Sequence, residues 1–256
     1  MNPGTSRLGG KVAVITGAAR GMGRAIAARL ASEGAAVAIC DIQAELAERT
    51  ADELRQSGAQ AAAFKLDVTS FDEAAAVTDR IERELGPVGI LINNAGWDKA
   101  ELFVESGPQT WDTVIAINYR GVLNCCRAIA PLMQARASGK IISISSDAAR
   151  VGSSTEAVYA GCKAAIIGFS KTLARELARY RINVNVVCAG PTDTALLREA
   201  FAGREKMIES LTRAIPFRRL GTPEDIVGAV AFFASADADF VTGQVLSVSG
   251  GLTMAG

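Results

Sequence analysis

Short runs of apolar, β-branched residues alternate with longer stretches of helical periodicity along nearly the whole chain, and this alternation restricts the possible folds more than any other feature. Val12 to Thr16 precedes a helical stretch from Met22 to Glu33, Ala36 to Cys40 precedes Ala44 to Gln56, and Ala61 to Leu66 precedes Phe71 to Leu85. Ile90 to Asn93 then leads towards one long helix, from Gln109 to Arg136. The spacing further predicts strand Lys140 to Ile144, helix Val158 to Arg179, strand Ile182 to Val187, helix Pro223 to Ala234 and strand Val245 to Val248. Strands that read as continuous apolar runs between helices pair in parallel and are covered on both faces. The expectation is an α/β fold with a doubly wound parallel sheet of about seven strands.

Local chemistry marks the helix starts. Ser70 with Glu73 has the spacing of a capping box, and Thr222 before Pro223 reads as an N-cap followed by proline at the first helical position. No linker, repeat or low-complexity tract divides residues 1–256, so one domain is expected. Thr192 to Phe217 is weakly patterned and interrupts the alternation, as a substrate-covering lid does. With 49% hydrophobic and 21% charged residues, 256 residues suffice for one large core.

Composition excludes several functions. Lys plus Arg and Asp plus Glu number 27 each, which leaves no global field to attract nucleic acid or an anionic membrane. No segment reaches the roughly 20 apolar residues that span a bilayer, and Met1 to Gly10 has no apolar leader, so a cytoplasmic protein is expected. The five cysteines show no CxxC spacing, and there is no histidine. That removes a Ser-His-Asp triad, a His-based metal pair and an imidazole proton carrier; no metal is expected.

Thr16-Gly17-Ala18-Ala19-Arg20-Gly21-Met22-Gly23 follows the first strand and opens the first helix. Glycines here allow a tight turn and close approach of a pyrophosphate to the helix N-terminus, where free N–H groups favour negative charge. Glycine also serves plain turns, but this position in a βαβ unit points to a Rossmann-type dinucleotide site. Asp41, ending the second strand, stands where a carboxylate binds the adenosine ribose hydroxyls and repels a 2′-phosphate, which favours NAD. Asp41 also suits the cap of the helix that follows. Arg20 has the charge to pair with a 2′-phosphate, so NADP remains open.

Tyr159 and Lys163 sit four apart at the start of an apolar helix, with Ser146 thirteen residues upstream at a strand end. Residues so spaced share a helix face. A cation about 4 Å from the phenol, at an effective dielectric near 20, is worth about 4 kcal/mol, enough to bring its titration towards neutral pH. A Tyr/Lys pair is also common on exposed helix faces.

Together these residues resemble the short-chain dehydrogenase/reductase family over essentially the whole chain. The matching motifs are Thr16 to Gly23, Asp67 after the third strand, Asn93-Asn94-Ala95-Gly96, Asn118, Ser146, and Tyr159 with Lys163. The resemblance implies that Tyr159 donates and accepts the proton, Ser146 positions the substrate oxygen, Lys163 holds the nicotinamide ribose and lowers the Tyr159 pKa, and Asn118 supports a proton-relay water. It further implies a cofactor cradle of Gly17, Arg20, Gly21, Met22, Gly23, Asp41, Ile42, Asp67, Val68, Asn94, Ala95 and Gly96, completed by Tyr159, Lys163, Gly190, Thr192 and Thr194. Cys162 before the lysine and Ala189 before Gly190 depart from the family pattern without removing a catalytic group.

Asn94 to Asp98, Ser146 to Ser154 and Gly243 to Met254 resemble members that act on cyclic β-hydroxyacyl-CoA thioesters, such as 2-hydroxycyclohexanecarboxyl-CoA. Trp97, Val151, Leu196, Leu197 and Phe201 then form an apolar substrate wall, with Ser146 and Tyr159 at the reacting oxygen. Arg198, Arg204, Lys206, Arg213, Arg218 and Arg219 either pair with coenzyme A phosphates or form a solvated helix face with Glu199, Glu205 and Glu209. The alternatives are an NADPH-dependent 3-oxoacyl-(acyl-carrier-protein) reductase, a broad carbonyl reductase and, outside enzymes, a nucleotide-sensing scaffold. The family likeness also implies a homotetramer with interfaces on the two long helices and Val245 to Met254.

Overall fold

The computed structural model describes residues 6–255 apart from 202 and 204; Arg204 and the side chains of Leu196 and Glu205 lie outside the described residues. In chain order the main elements are β1 (Val12–Thr16), α1 (Gly21–Ser32), β2 (Ala36–Asp41), α2 (Ala44–Gln56), β3 (Ala61–Lys65), α3 (Phe71–Glu84) and β4 (Val88–Asn93). There follow α4 (Pro108–Ile115), α5 (Gly121–Arg136), β5 (Gly139–Ser146), the single turn α6 (Ala148–Val151), α7 (Ala157–Leu177) and β6 (Ile182–Ala189). The last are α8 (Ala195–Ala200), α9 (Glu205–Ala214), α10 (Pro223–Ala234) and β7 (Val245–Val248).

The seven strands form one parallel sheet in the order β3-β2-β1-β4-β5-β6-β7. Every residue of β1, β2 and β6 is buried, which explains their unbroken apolar character. Helices α1, α2 and α10 cover one face, over Ile15, Ile39 and Ile92, while α3, α5 and α7 cover the other, over Val14, Leu91 and Ile141. Each such side chain taken fully out of water stabilises the fold by about 1.5–3 kcal/mol. The chain reverses its winding between β1 and β4, and the crevice beyond the strand ends there is where folds of this type bind ligands.

Three sequence expectations need correction. The single long helix predicted over Gln109 to Arg136 is two helices joined by a π-helical turn, Ala116–Arg120. The region Thr192 to Phe217 contains two helices rather than unpatterned chain. At the start of α3, the Ser70 hydroxyl accepts from the Glu73 N–H as expected, but the Glu73 carboxylate accepts from the Asp67 N–H and braces the β3–α3 loop. The expected cap before α10 is present, with the Asp225 carboxylate accepting from the Thr222 N–H at 2.7 Å.

Candidate active site

The β1–α1 turn is held by hydrogen bonds that cross the switch point. The Thr16 hydroxyl accepts from the N–H groups of Asn94 and Ala95, both at 3.0 Å, and donates to the Ile92 carbonyl. The Asn94 amide returns two bonds, to the carbonyls of Thr16 and Gly17. A side chain at Gly23 has no space, because a Cβ there would lie 2.2 Å from the Gly17 carbonyl oxygen; Gly17, at φ +63°, is closed off by the Ala95 Cα. Nothing lies within 4 Å of a Cβ at Gly21, at φ +56°, so the outer edge of the turn is open. This bare backbone at the start of α1 fits a dinucleotide's pyrophosphate.

Asp41 is buried at the end of β2 and accepts hydrogen bonds from Ala19 N–H and Gln43 N–H, so one carboxylate ties the Gly-rich turn to the start of α2. Arg20 is exposed and directed to Glu199 of α8 at 3.0 Å, joining the turn to α8. Ile42 is exposed and Met22 half-buried beside them. Further along the strand ends, the Asp67 carboxylate binds Thr69, Val68 is buried, and the Asn124 amide grips the carbonyls of Val68 and Thr69. Gly190 packs on Ser249, Thr192 donates to the Gly190 carbonyl, and the Thr194 hydroxyl caps α8 by accepting from Leu197 N–H.

Beyond β4 and β5 the proton-bearing residues come together. Asn118 is fully buried in the π-helical turn, and its amide N–H groups donate to the carbonyls of Trp97 and Val114. Its Oδ1 has no donor among the described residues. π-Turns frequently accompany functional sites, and this one aims Asn118 inward. Lys163 is 4% exposed, donates from Nζ to the Ile144 carbonyl at 3.0 Å, and lies 5.4 Å from the centre of the Tyr159 ring. A Cβ at Gly96 would touch both Asn118 Oδ1 and Lys163 Nζ, at 3.0 and 3.5 Å, so glycine there keeps the two groups next to one another. Ser146, at the end of β5, accepts from Ala148 N–H and acts on the Tyr159 phenol to lower its pKa.

The electrostatics differ from expectation. Burial pushes the Tyr159 phenol well above its ordinary pKa, the negative charges of Glu156 and Asp98 push further, and only Ser146 acts in the opposite direction. The net push on the phenol is upward, with Lys163 Nζ 5.4 Å from the centre of its ring. The Lys163 ammonium is bound to the Ile144 carbonyl, and burial lowers its own pKa to about 8.

The expected apolar wall is only partly assembled. Trp97 and Leu197 are half-buried, Phe201 is buried and Val151 is exposed on α6, while the Leu196 side chain lies outside the described residues. Among the bases expected to meet a phosphate, Arg198 is held bidentately by Asp193, Arg219 is held by Asp225, and Arg218 donates to the Arg213 carbonyl. Residues not singled out from sequence also matter here. Trp111, stacked on Phe103 at 5.3 Å, forms a cavity with Tyr159, Asp98 and Glu156. Nothing in their spacing marks these residues, because Asp98 and Phe103 follow β4, Trp111 lies on α4 and Glu156 precedes α7.

Among the described residues no helix is long and apolar enough to cross a membrane, and no group of His, Cys, Asp or Glu side chains has metal-binding geometry. The family model described as enoyl-(acyl carrier protein) reductase matches residues 17–253. The chain is 39% identical to 2,3-dihydro-2,3-dihydroxybenzoate dehydrogenase of Bacillus subtilis, covering 96% of this chain and 97% of that protein. It is 36% identical to a 3-oxoacyl-(acyl-carrier-protein) reductase of Thermotoga maritima, covering 97% and 100%, and 37% identical to 5-keto-D-gluconate 5-reductase of Escherichia coli, covering 97% of each. The chain belongs to the short-chain dehydrogenase/reductase family and is an NAD(P)-dependent oxidoreductase acting on CH–OH groups.

Proposed function

We propose that this enzyme interconverts the β-hydroxyl and β-keto forms of an acyl-CoA thioester with a cyclic acyl group, such as 2-hydroxycyclohexanecarboxyl-CoA, and does so with NAD. The observation that carries the reaction type is the convergence of Ser146, Tyr159, Lys163 and Asn118 beyond the ends of β4 and β5. Ser146 donates a hydrogen bond to the substrate oxygen, and Tyr159 gives that oxygen its proton in reduction or removes it in oxidation. Lys163 binds the nicotinamide ribose, and Asn118 Oδ1 accepts from a water that passes protons to solvent. The nicotinamide, when bound, supplies or takes up the hydride. Gly17 to Gly23 cradle its pyrophosphate, while Asp67, Val68, Asn94, Ala95, Gly96, Gly190, Thr192 and Thr194 line the rest of its path.

NAD is favoured because Asp41 presents a buried carboxylate at the ribose position, while the guanidinium of Arg20 is engaged by Glu199. The substrate reading draws on two relatives, one named for a ring alcohol and one for a 3-oxoacyl thioester. Trp97, Val151 and Leu197 form the ring's wall, beneath a lid of α8 and α9. The Arg198–Asp193 pair is exposed and screened by solvent, so a coenzyme A phosphate can replace its carboxylate. The second reading, an NADPH-dependent 3-oxoacyl-(acyl-carrier-protein) reductase, is favoured if Arg20 exchanges Glu199 for a 2′-phosphate.

Tyr159→Phe should lower turnover at least about 100-fold with NAD still bound; near-normal turnover refutes the proton assignment. The KM for a cyclic β-hydroxyacyl-CoA should rise with ionic strength more than that for an uncharged cyclic alcohol. Equal efficiency on the free alcohol and the thioester at low salt rules out the coenzyme A reading.

A further inference from the structure

Glu156 immediately precedes α7 and stands three residues before Tyr159, which places the two on one side of the helix start. Asp98 arrives from the loop after β4, is 9% exposed and lines the same cavity as Tyr159 and Glu156. Its Oδ2 is buried without a donor among the described residues, and the Glu156 carboxyl on the same cavity wall acts on it electrostatically. Two carboxylates have no proton to offer each other, whereas one proton held between the two carboxyl groups would supply the donor that Oδ2 lacks.

We propose that Asp98 and Glu156 are a proton-sharing carboxyl pair whose charge keeps the neighbouring Tyr159 hydroxyl protonated, making them positioning residues for the catalytic proton and biasing the site towards carbonyl reduction. The proposal rests on the reading of Tyr159 as the proton-transfer group.

The surrounding charges are few. From the β4–α4 loop, the Lys99 backbone donates to Asp98, while the Lys99 ammonium is paired with Glu101 at 2.7 Å. From α7, Lys163 faces both Asp98 and the Tyr159 ring, and the Cys162 thiol lies within the field of Asp98. From β6, the Cys188 thiol faces Tyr159, and α4 adds only the uncharged Thr110, Trp111 and Val114 to the cavity. Burial and the charge of Glu156 raise Asp98 to about 7. Where Asp98 ionises, its charge adds to that of Glu156 beside the phenol. As the second charge develops, removing the phenolic proton becomes harder, because like charges oppose ionisation.

The test uses Asp98→Asn, Glu156→Gln and the double variant, all close in shape to the native side chains. Oxidation requires the ionised phenol and reduction the protonated one. In the double variant the rising limb of oxidation and the falling limb of reduction should therefore both move to lower pH by about one unit, and in the single variants by less. A second measurement needs no turnover: ultraviolet tyrosinate titration of each cofactor-free protein, minus that of the same protein carrying Tyr159→Phe. The difference isolates one of the chain's three tyrosines. It should move to lower pH in the same order. Unmoved limbs together with an unmoved tyrosinate titration overturn the carboxyl pair's role and leave the Tyr159 assignment intact. If Tyr159→Phe retains turnover, the assignment of Tyr159 fails instead, and the tyrosinate titration still decides whether the pair controls its ionisation.

Discussion

Thr16→Val isolates the bond that joins the Gly-rich turn to the loop after β4. Valine has nearly the shape of threonine and leaves no cavity, so the substitution removes only the hydroxyl. Two backbone donors, Asn94 N–H and Ala95 N–H, then lose their acceptor beneath a residue that is 2% exposed. An orphaned buried donor costs about 1–3 kcal/mol, and these two are partly buried, which gives about 2–4 kcal/mol in total. The lost bond to the Ile92 carbonyl, at 3.4 Å, is long and adds little. For a chain of this size the loss corresponds to a fall in Tm of about 5–15 °C. Urea unfolding at fixed protein concentration should show a lower midpoint with an unchanged slope, and Thr16→Ser should recover most of the loss because it keeps the acceptor. A Thr16→Val protein within about 0.5 kcal/mol of the parent refutes the reasoning.

Asp41→Ala should narrow or reverse a preference for NAD over NADP, measured as the ratio of kcat/KM values; a parent enzyme that already favours NADP makes Arg20 the stronger determinant. Asp98 holds a proton in the folded chain up to about 7, whereas the unfolded chain releases it near 3.8. Between those values the folded form binds more protons, so its stability should fall as pH rises from about 4 to 7, and Asp98→Asn should flatten that slope in denaturant titrations. Phe240, Leu246, Met254 and Phe217 are large apolar side chains left exposed, in keeping with a homotetramer; light scattering that gives a monomer's mass excludes it.

The sheet was legible because burial on both faces wrote its strands as apolar runs. β1 and β7 match their predicted limits, while β5 and β6 run on through Ser146 and Ala189, polar or small residues that carry no strand signal of their own. Tyr159, Lys163 and Ser146 were legible as residue types at a spacing. The upward push on the Tyr159 phenol was not, because it comes first from burial and then from the charges of Glu156 and of Asp98, a residue 61 positions away, which only the fold brings together. Helices α8 and α9 were missed because they are six and ten residues long, too short for propensity to stand out without tertiary packing.

The π-helical turn that holds Asn118 changes the rotational phase between α4 and α5. A turn of this kind accommodates one more residue than an α-turn, and each residue of an α-helix advances by about 100°. The phase offset lets α4 direct Val114 into the protein while α5 presents Cys125, Ile129 and Met133 to the sheet. Its length, rather than its composition, is therefore the constrained quantity: substitutions at exposed Arg120 leave the phase untouched, whereas deleting one residue between Ala116 and Arg120 lets a continuous α-helix form, swings Asn118 off the site by about a quarter turn, and forces either the catalytic end or the core-facing end of the segment out of register.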